Sequence, residues 1–299
     1  PTRNDFPVNP NLSNFLFDPN EARIPSEDIE NEKRNILNNL NEALLKNQPK
    51  QLEAVAKAIL AKDIALIQGP PGTAKTTVIA EIIWQTLLRD PKAKILITSQ
   101  TNLAVDNALE RLKGKKMVRP IRIGNIDKFE DEGKVYAKER LEDWRNAKSN
   151  SEEEKKNADN AINQWIQNVN SNCIEQNIYQ TTIEKWKKAL GSNSSLKENF
   201  ANQYFKYVNV FAATCSECGS RNFSDTYQTI FQQKEVEFDL VIMDEASKAT
   251  PPELVLPLTL GKKVVIIGDH KQLPPMIDEN EFGEALEKVG AKELITEWT

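Results

Sequence analysis

The chain has 299 residues, 39% hydrophobic and 28% charged, which suits one sizeable globular domain with a real core and an insertion. A formal charge of −5 lays no basic footprint over the whole surface, so any nucleic-acid groove has to be local. No run nears the roughly 20 apolar residues that cross a bilayer, PTRNDFPVNP lacks the basic-then-apolar layout of a secretory leader, and three cysteines make no even disulfide set. A reducing, cytosolic or nuclear setting without a membrane partner is therefore expected.

Residues 1–45 read as an N-terminal extension. The first 25 are rich in Pro, Asn and Asp and resemble a linker, and Ser26 is a candidate cap for a helix with an apolar stripe of Ile29, Ile36, Leu37, Leu40 and Leu44. A second helix is expected over 51–61, with Val55 and Ile59 facing a sheet. Short apolar, β-branched runs at 64–68, 95–98, 208–214, 240–244 and 264–269 alternate with helical patterns, which predicts an α/β fold with a parallel sheet flanked by helices. Strands buried on both faces are apolar throughout, and these runs are.

From 125 to 202 the alternation stops. The segment turns polar and helical, with Ile162, Trp165, Ile166, Val169 and Cys173 on one stripe and Ile183, Trp186 and Leu190 on another, and it reads as a helical insertion, a hairpin zipped by its tryptophans. The core domain thus divides into 46–124 and 203–299. Cys215 and Cys218 form a C-x-x-C, but no second pair follows and the single histidine, His270, sits in another motif, so two ordinary thiols are expected rather than a zinc site.

Three runs carry chemistry. Gly69-Pro70-Pro71-Gly72-Thr73-Ala74-Lys75-Thr76-Thr77 lies between the strand-like IALIQ and the helical VIAEIIWQTLL. That context aims backbone N–H groups and a helix N-terminus at a phosphate chain, with Lys75 reaching the β- and γ-phosphates and the Thr76 hydroxyl available to Mg2+. Ala74 stands where such loops usually carry their last glycine, and its methyl is expected to crowd the approaching phosphate. Asp244 and Glu245 end the apolar strand LVIM, which brings both carboxylates to the sheet's C-terminal edge. One suits the Mg2+ shell and its neighbour suits a water-activating base, so Asp244 is the metal residue and Glu245 the catalytic base. The third run, GDHKQLPP at 268–275, is a stiff polar loop after a strand, suited to sensing a γ-phosphate.

GPPGTAKT, ITSQTNLAVDNAL, MDEASKATPPE and GDHKQLPP resemble motifs I, Ia, II and III of superfamily 1 helicases, nearest to the 5′-to-3′ branch that includes the nonsense-mediated-decay helicase, senataxin and the immunoglobulin mu-binding helicase. The motifs fall within 47–112 and 209–277, in the family's order. The resemblance implies a P-loop, RecA-like first motor domain that uses ATP and Mg2+ on single-stranded DNA or RNA. It gives Gln51, otherwise an ordinary polar helix residue, the role of adenine clamp, and Gln272 that of γ-phosphate sensor, braced by Asp269. It places Thr101, Asn102 and Thr214 against the nucleic-acid backbone, although hydroxyl and amide side chains at helix starts serve equally as ordinary N-caps.

Family members need a second RecA-like domain whose arginines complete the nucleotide site, and nothing after Pro275 is long enough to provide it, so a larger protein is expected. The insertion is a candidate surface for a protein partner. The function implied is an ATP-dependent helicase or translocase. Two rivals stand beside it: another P-loop ATPase, and a nucleotide-dependent interaction module with little turnover.

Overall fold

The computed structural model describes residues 7–12, 14, 28–70, 72–115, 117–146 and 202–272. The expected insertion hairpin, Cys173, Ser26, Pro71, Pro274 and Pro275 lie outside them. Six parallel strands form one sheet: β1 (Ile64–Gln68), β2 (Ile95–Ser99), β3 (Pro120–Arg122), β4 (Val210–Thr214), β5 (Phe238–Asp244) and β6 (Gly261–Gly268), in the order β1-β6-β5-β2-β4-β3. The fold is thus the expected P-loop RecA-like α/β arrangement, with the helices α1 (Ile29–Asn38), α2 (Pro49–Leu60), α3 (Lys75–Arg89), α4 (Asn102–Leu112), α5 (Asp131–Lys134), α6 (Lys138–Asn146), α7 (Arg221–Phe231) and α8 (Pro251–Leu258) between and around the strands.

The five expected strands are present within a few residues of their boundaries. The sixth, β3, comes from Pro120-Ile121-Arg122, where a proline and a cation hide a strand only three residues long. It forms because its register on β4 pairs Ile121 with Phe211, and both side chains are fully buried. Central strands β2 and β5 bury almost every residue, as parallel strands covered on both faces must. Helix α3 packs between α2 and α4, with Val78, Ile79, Ile82, Ile83 and Leu87 in the core. At the other side, α7 presents Phe223, Tyr227 and Phe231, which meet Phe211 and Phe238 at ring-centroid distances of 5.3 to 6.1 Å.

Four details differ from expectation. Part of the supposed linker is docked: Val8 N–H donates to Thr259 O (2.9 Å), buried Asn9 donates through Nδ2 to Asp63 Oδ1 (2.9 Å) and Lys262 O (2.8 Å), and Leu12 enters the core. Helix α1 is capped by Asp28, which accepts from Glu30 N–H at 2.9 Å. The stripe holds at Leu40, which packs on the core, but fails at Leu44, because α1 stops at Asn38 and a 3₁₀ turn follows over Ala43–Asn47. Its tighter period turns Leu45 inward and leaves Leu44 exposed. Residues at the start of the expected insertion also contribute to the buried set, through Phe129, Tyr136 and Leu141.

Candidate nucleotide site and adjoining edge

All the chemistry-bearing residues that the structure describes, save Gln51, lie along one edge of the sheet, because every strand is parallel and each motif follows a strand's C-terminal end. Across that edge the order is the phosphate loop after β1, Asp269 after β6, Asp244 and Glu245 at the end of β5, Thr101 and Asn102 after β2, and Thr214 ending β4. At about 4.8 Å per strand, the phosphate loop and Thr214 stand roughly 20 Å apart. Nucleotide-type groups occupy one end of the edge and strand-contact candidates the other.

The loop from Gly69 to Ala74 is anchored at its start, where Gly69 N–H donates to Gly268 O at 3.0 Å, tying it to β6. Gly69 has no room for a side chain: a Cβ there would meet Thr73 Oγ1 at 2.8 Å. Thr73 Oγ1 donates back to Pro70 O (2.7 Å), and Lys75 Nζ donates to Gly69 O (2.9 Å) and Pro70 O (3.4 Å), so the lysine lies over the loop's own carbonyls. Thr76 is half-buried at the start of α3, while Thr77 is turned inward among core groups.

Ala74 is the N-cap of α3, with φ 60° and ψ 34°. The usual glycine is therefore explained by backbone conformation here and not only by phosphate approach, since the left-handed region costs an L-residue about 1–2 kcal/mol. Ala74→Gly is expected to stabilise the chain by about 0.5–1 kcal/mol, the relief of that strain outweighing the greater freedom glycine has when unfolded. Thermal melting of the two proteins checks it.

Asp244 is 6% exposed. Its Oδ1 accepts from Glu245 N–H at 2.8 Å, and its other oxygen takes no protein donor among the described residues. Burial pushes the carboxyl up to about 6, the neighbouring Glu245 adds to the rise, and the charge of Lys75 opposes it. The lysine of the phosphate loop and the strand-end carboxylate are thus within electrostatic reach of each other. Ser99, which pairs with Asp244 in register, has a buried Oγ without a hydrogen-bond partner among the described residues. A carboxylate and a hydroxyl that pair in register, are incompletely satisfied and lie on the same sheet edge as the phosphate loop fit Mg2+, which takes one or two protein oxygens and completes its shell with phosphate and water.

A raised folded-state pKa means the native chain holds the proton more tightly than the unfolded chain, so stability falls as pH rises from about 4 through about 6. Asp244→Asn should therefore raise the stability of the nucleotide-free chain at pH 7.5 by on the order of 2 to 3 kcal/mol, with the gain fading toward pH 4. Denaturant titrations of both proteins across that range test the sign. A variant less stable at every pH would show that the buried carboxylate is not under strain.

Glu245 adopts φ 51°, ψ 36°, a left-handed backbone that is uncommon for a non-glycine residue and turns the chain sharply after β5. Its Oε2 accepts from Lys248 Nζ at 3.0 Å, a partner the sequence reading did not single out. Asp269 N–H donates to Ser247 Oγ (3.4 Å), and Gln272 is held by its N–H to Asp269 O (3.0 Å) and by Nε2 to Asp269 Oδ2 (3.4 Å). Gln272 therefore sits on the Asp269 brace beside the motif that carries Glu245. Gln51 occupies the first turn of α2, half-buried, and its amide makes no protein hydrogen bond among the described residues. Helix α2 is set against α3 through buried Glu81, which accepts from Asn41 N–H (3.1 Å) and Glu42 N–H (2.7 Å) in the turn leading to it.

At the other end of the edge, Thr101 caps α4, its Oγ1 accepting from Ala104 N–H at 3.3 Å. Thr214 Oγ1 lies 3.3 Å from Ser216 Oγ and accepts from Glu217 N–H at 3.4 Å. Both hydroxyls thus have local structural partners. The two thiols lie nearby but inside: Cys215 and Cys218 are free and buried around Thr98 Oγ1, at 3.5 and 3.8 Å, and burial pushes Cys215 up to about 11 and Cys218 higher still.

Taken together, this sheet and edge define a P-loop nucleotide-binding domain of the RecA-like class. Residues 46–280 match the family model described as an AAA domain. An uncharacterised ATP-dependent helicase of Methanocaldococcus jannaschii is 31% identical over 281 residues, covering 81% of this chain and 39% of that protein. The ATP-dependent helicase upf1 of Schizosaccharomyces pombe is 29% identical, covering 76% of the chain and 22% of its own length. The DNA replication ATP-dependent helicase/nuclease DNA2 of Saccharomyces cerevisiae is 30% identical, covering 76% and 11%. The chain belongs to this AAA-domain family and is of the superfamily 1 helicase type, corresponding to the first motor domain. It spans about two fifths or less of the length of these three relatives.

Proposed function

We propose that the chain is the first motor domain of an ATP-dependent helicase or single-strand translocase. The observation that supports it most is the pairing of a phosphate loop at the head of α3 with a buried, incompletely hydrogen-bonded Asp244 two strands away on the same sheet edge. Phosphoryl transfer is catalysed mostly by positioning and charge, and these residues fit that division of labour. Amides of Gly69 to Thr77 and the Lys75 ammonium would cradle the phosphates of ATP, and Gln51 would read the adenine edge by its free amide. Thr76 and Asp244 would hold Mg2+, which would supply positive charge to offset that developing on the phosphates. Glu245 would accept the proton of the attacking water, and Gln272 would contact the γ-phosphate and pass its presence toward the β2 and β4 ends.

Thr101, Asn102 and Thr214 would meet the sugar–phosphate backbone of single-stranded DNA or RNA, contacts that give register without base sequence. A second RecA-like domain would close over the nucleotide and add arginines to the charge that Lys75 supplies from this edge. Movement along the strand then follows from opening and closing of that cleft.

The test is ATP hydrolysis by the intact protein with and without single-stranded oligonucleotides. Stimulation by the strand is expected. Turnover indifferent to nucleic acid would favour another P-loop ATPase, and tight nucleotide binding without turnover would favour an interaction module.

A further inference from the structure

Arg122 is fully buried on the edge strand β3, and each of its three guanidinium nitrogens donates to a protein acceptor. Nε donates to Asp106 Oδ1 (2.8 Å), Nη1 to Ile123 O (2.9 Å) and Ala212 O (3.4 Å), and Nη2 to Asn102 Oδ1 (2.7 Å). The guanidinium also lies 4.1 Å from the centre of the Phe129 ring. Asp106 is held in turn, since its Oδ2 accepts from Glu130 N–H (2.9 Å), and Gly133 packs so closely on it that a Cβ there would stand 2.2 Å from Oδ1. A planar fork restrained at every arm has no second orientation.

Arginine carries donors only, so the Asn102 atom facing it has to be the carbonyl oxygen and the amide nitrogen has to point the other way. Asn102 is half-buried, and its Nδ2 donates to no protein acceptor among the described residues. The same guanidinium reaches Ala212 on β4, two residues before Thr214, so one buried group links the positions of both strand-contact candidates.

We propose that Arg122 is a positioning residue for nucleic-acid binding: it grips Asn102 by its oxygen and leaves the amide's two N–H donors for a backbone phosphate or sugar oxygen of a single strand. The inference rests on the reading of Asn102 as a strand contact. A free asparagine side chain would have to give up its rotational freedom on binding to turn its nitrogen to a phosphate, a cost that the Arg122 grip removes in advance.

Affinity for fluorescent oligothymidylate and oligouridylate, measured by anisotropy on the full chain, tests it through a double-mutant cycle of Arg122→Lys and Asn102→Ala. Lysine keeps a cation beside Asp106 but cannot serve all four acceptors. Each single variant is expected to weaken binding by about tenfold, the worth of a charge-assisted contact, and the double variant by no more than either. Losses that multiply in the double variant, or an Arg122→Lys protein that binds normally while Asn102→Ala does not, would overturn the positioning role and leave the strand-contact reading intact. Normal binding by Asn102→Ala would remove the strand contact and the proposal together.

Should Arg122→Lys fail to fold, the paired Arg122→Met/Asp106→Leu protein replaces it in the cycle, since it leaves no buried charge unpaired. Nuclear magnetic resonance of the unmutated chain gives a readout that needs no variant. One fixed pair of Asn102 amide protons is expected, with a contact to the Arg122 guanidinium and a shift on adding oligothymidylate. Absence of either the contact or the shift overturns the proposal.

Discussion

Glu245→Gln is expected to leave nucleotide affinity almost unchanged while lowering ATP turnover by about 10²–10⁴-fold, the range that a positioned general base contributes. The amide has the carboxylate's shape, so the left-handed turn after β5 and the contact with Lys248 survive the change. What disappears is the capacity to take a proton from water. Asp244, the residue proposed for Mg2+, is untouched in this variant, which separates binding from chemistry. Phosphate release under steady state and equilibrium titration with a fluorescent nucleotide measure the two sides. Undiminished turnover would show that the base is another group.

Lys75→Ala should do the opposite and act first on binding. The ammonium now lies over Gly69 O and Pro70 O, at the mouth of the loop that would receive the phosphates, so it needs only a short swing to exchange those carbonyls for phosphate oxygens. A charge-assisted hydrogen bond of this kind is worth about 1.5–3 kcal/mol, so affinity should fall by roughly 10- to 100-fold. The change has a second consequence through Asp244. Lys75 is among the charges that hold that carboxyl down against its burial, and without it the carboxyl should keep its proton to higher pH and demand more Mg2+. Nucleotide titrations at several Mg2+ concentrations and pH values check both effects. Unaltered affinity at saturating Mg2+ would place the phosphates elsewhere.

Local chemistry was legible because each motif carries its own geometry. A strand, a glycine-rich turn and a helix start are consecutive in 64–77, so the loop's shape follows from sequence order, and the same holds for the carboxylates that end β5. Helix α2 was legible from its apolar spacing, with Val55 buried as expected. The misreadings arose where local signal and packing conflict. Leu44 carries an apolar side chain at helical spacing, yet the 3₁₀ turn turns Leu45 inward instead. Val8, Asn9 and Leu12 sit in a segment with the composition of a linker, and they dock because Asp63, Thr259 and Lys262 present partners that are distant in sequence.

From the sequence by itself came the nucleotide-binding class of the domain, the residues proposed for phosphate and metal, and most strands, because those depend on neighbours a few positions apart. Tertiary structure decided the order β1-β6-β5-β2-β4-β3, which sets Lys75 within reach of Asp244 and puts the strand-contact candidates at the far end of the same edge. It also decided the fate of Arg122, a cation in a short apolar run whose four acceptors come from α4, β4 and the chain just after β3. A buried charge is tolerable only when such partners converge on it, and their convergence is a property of the folded chain.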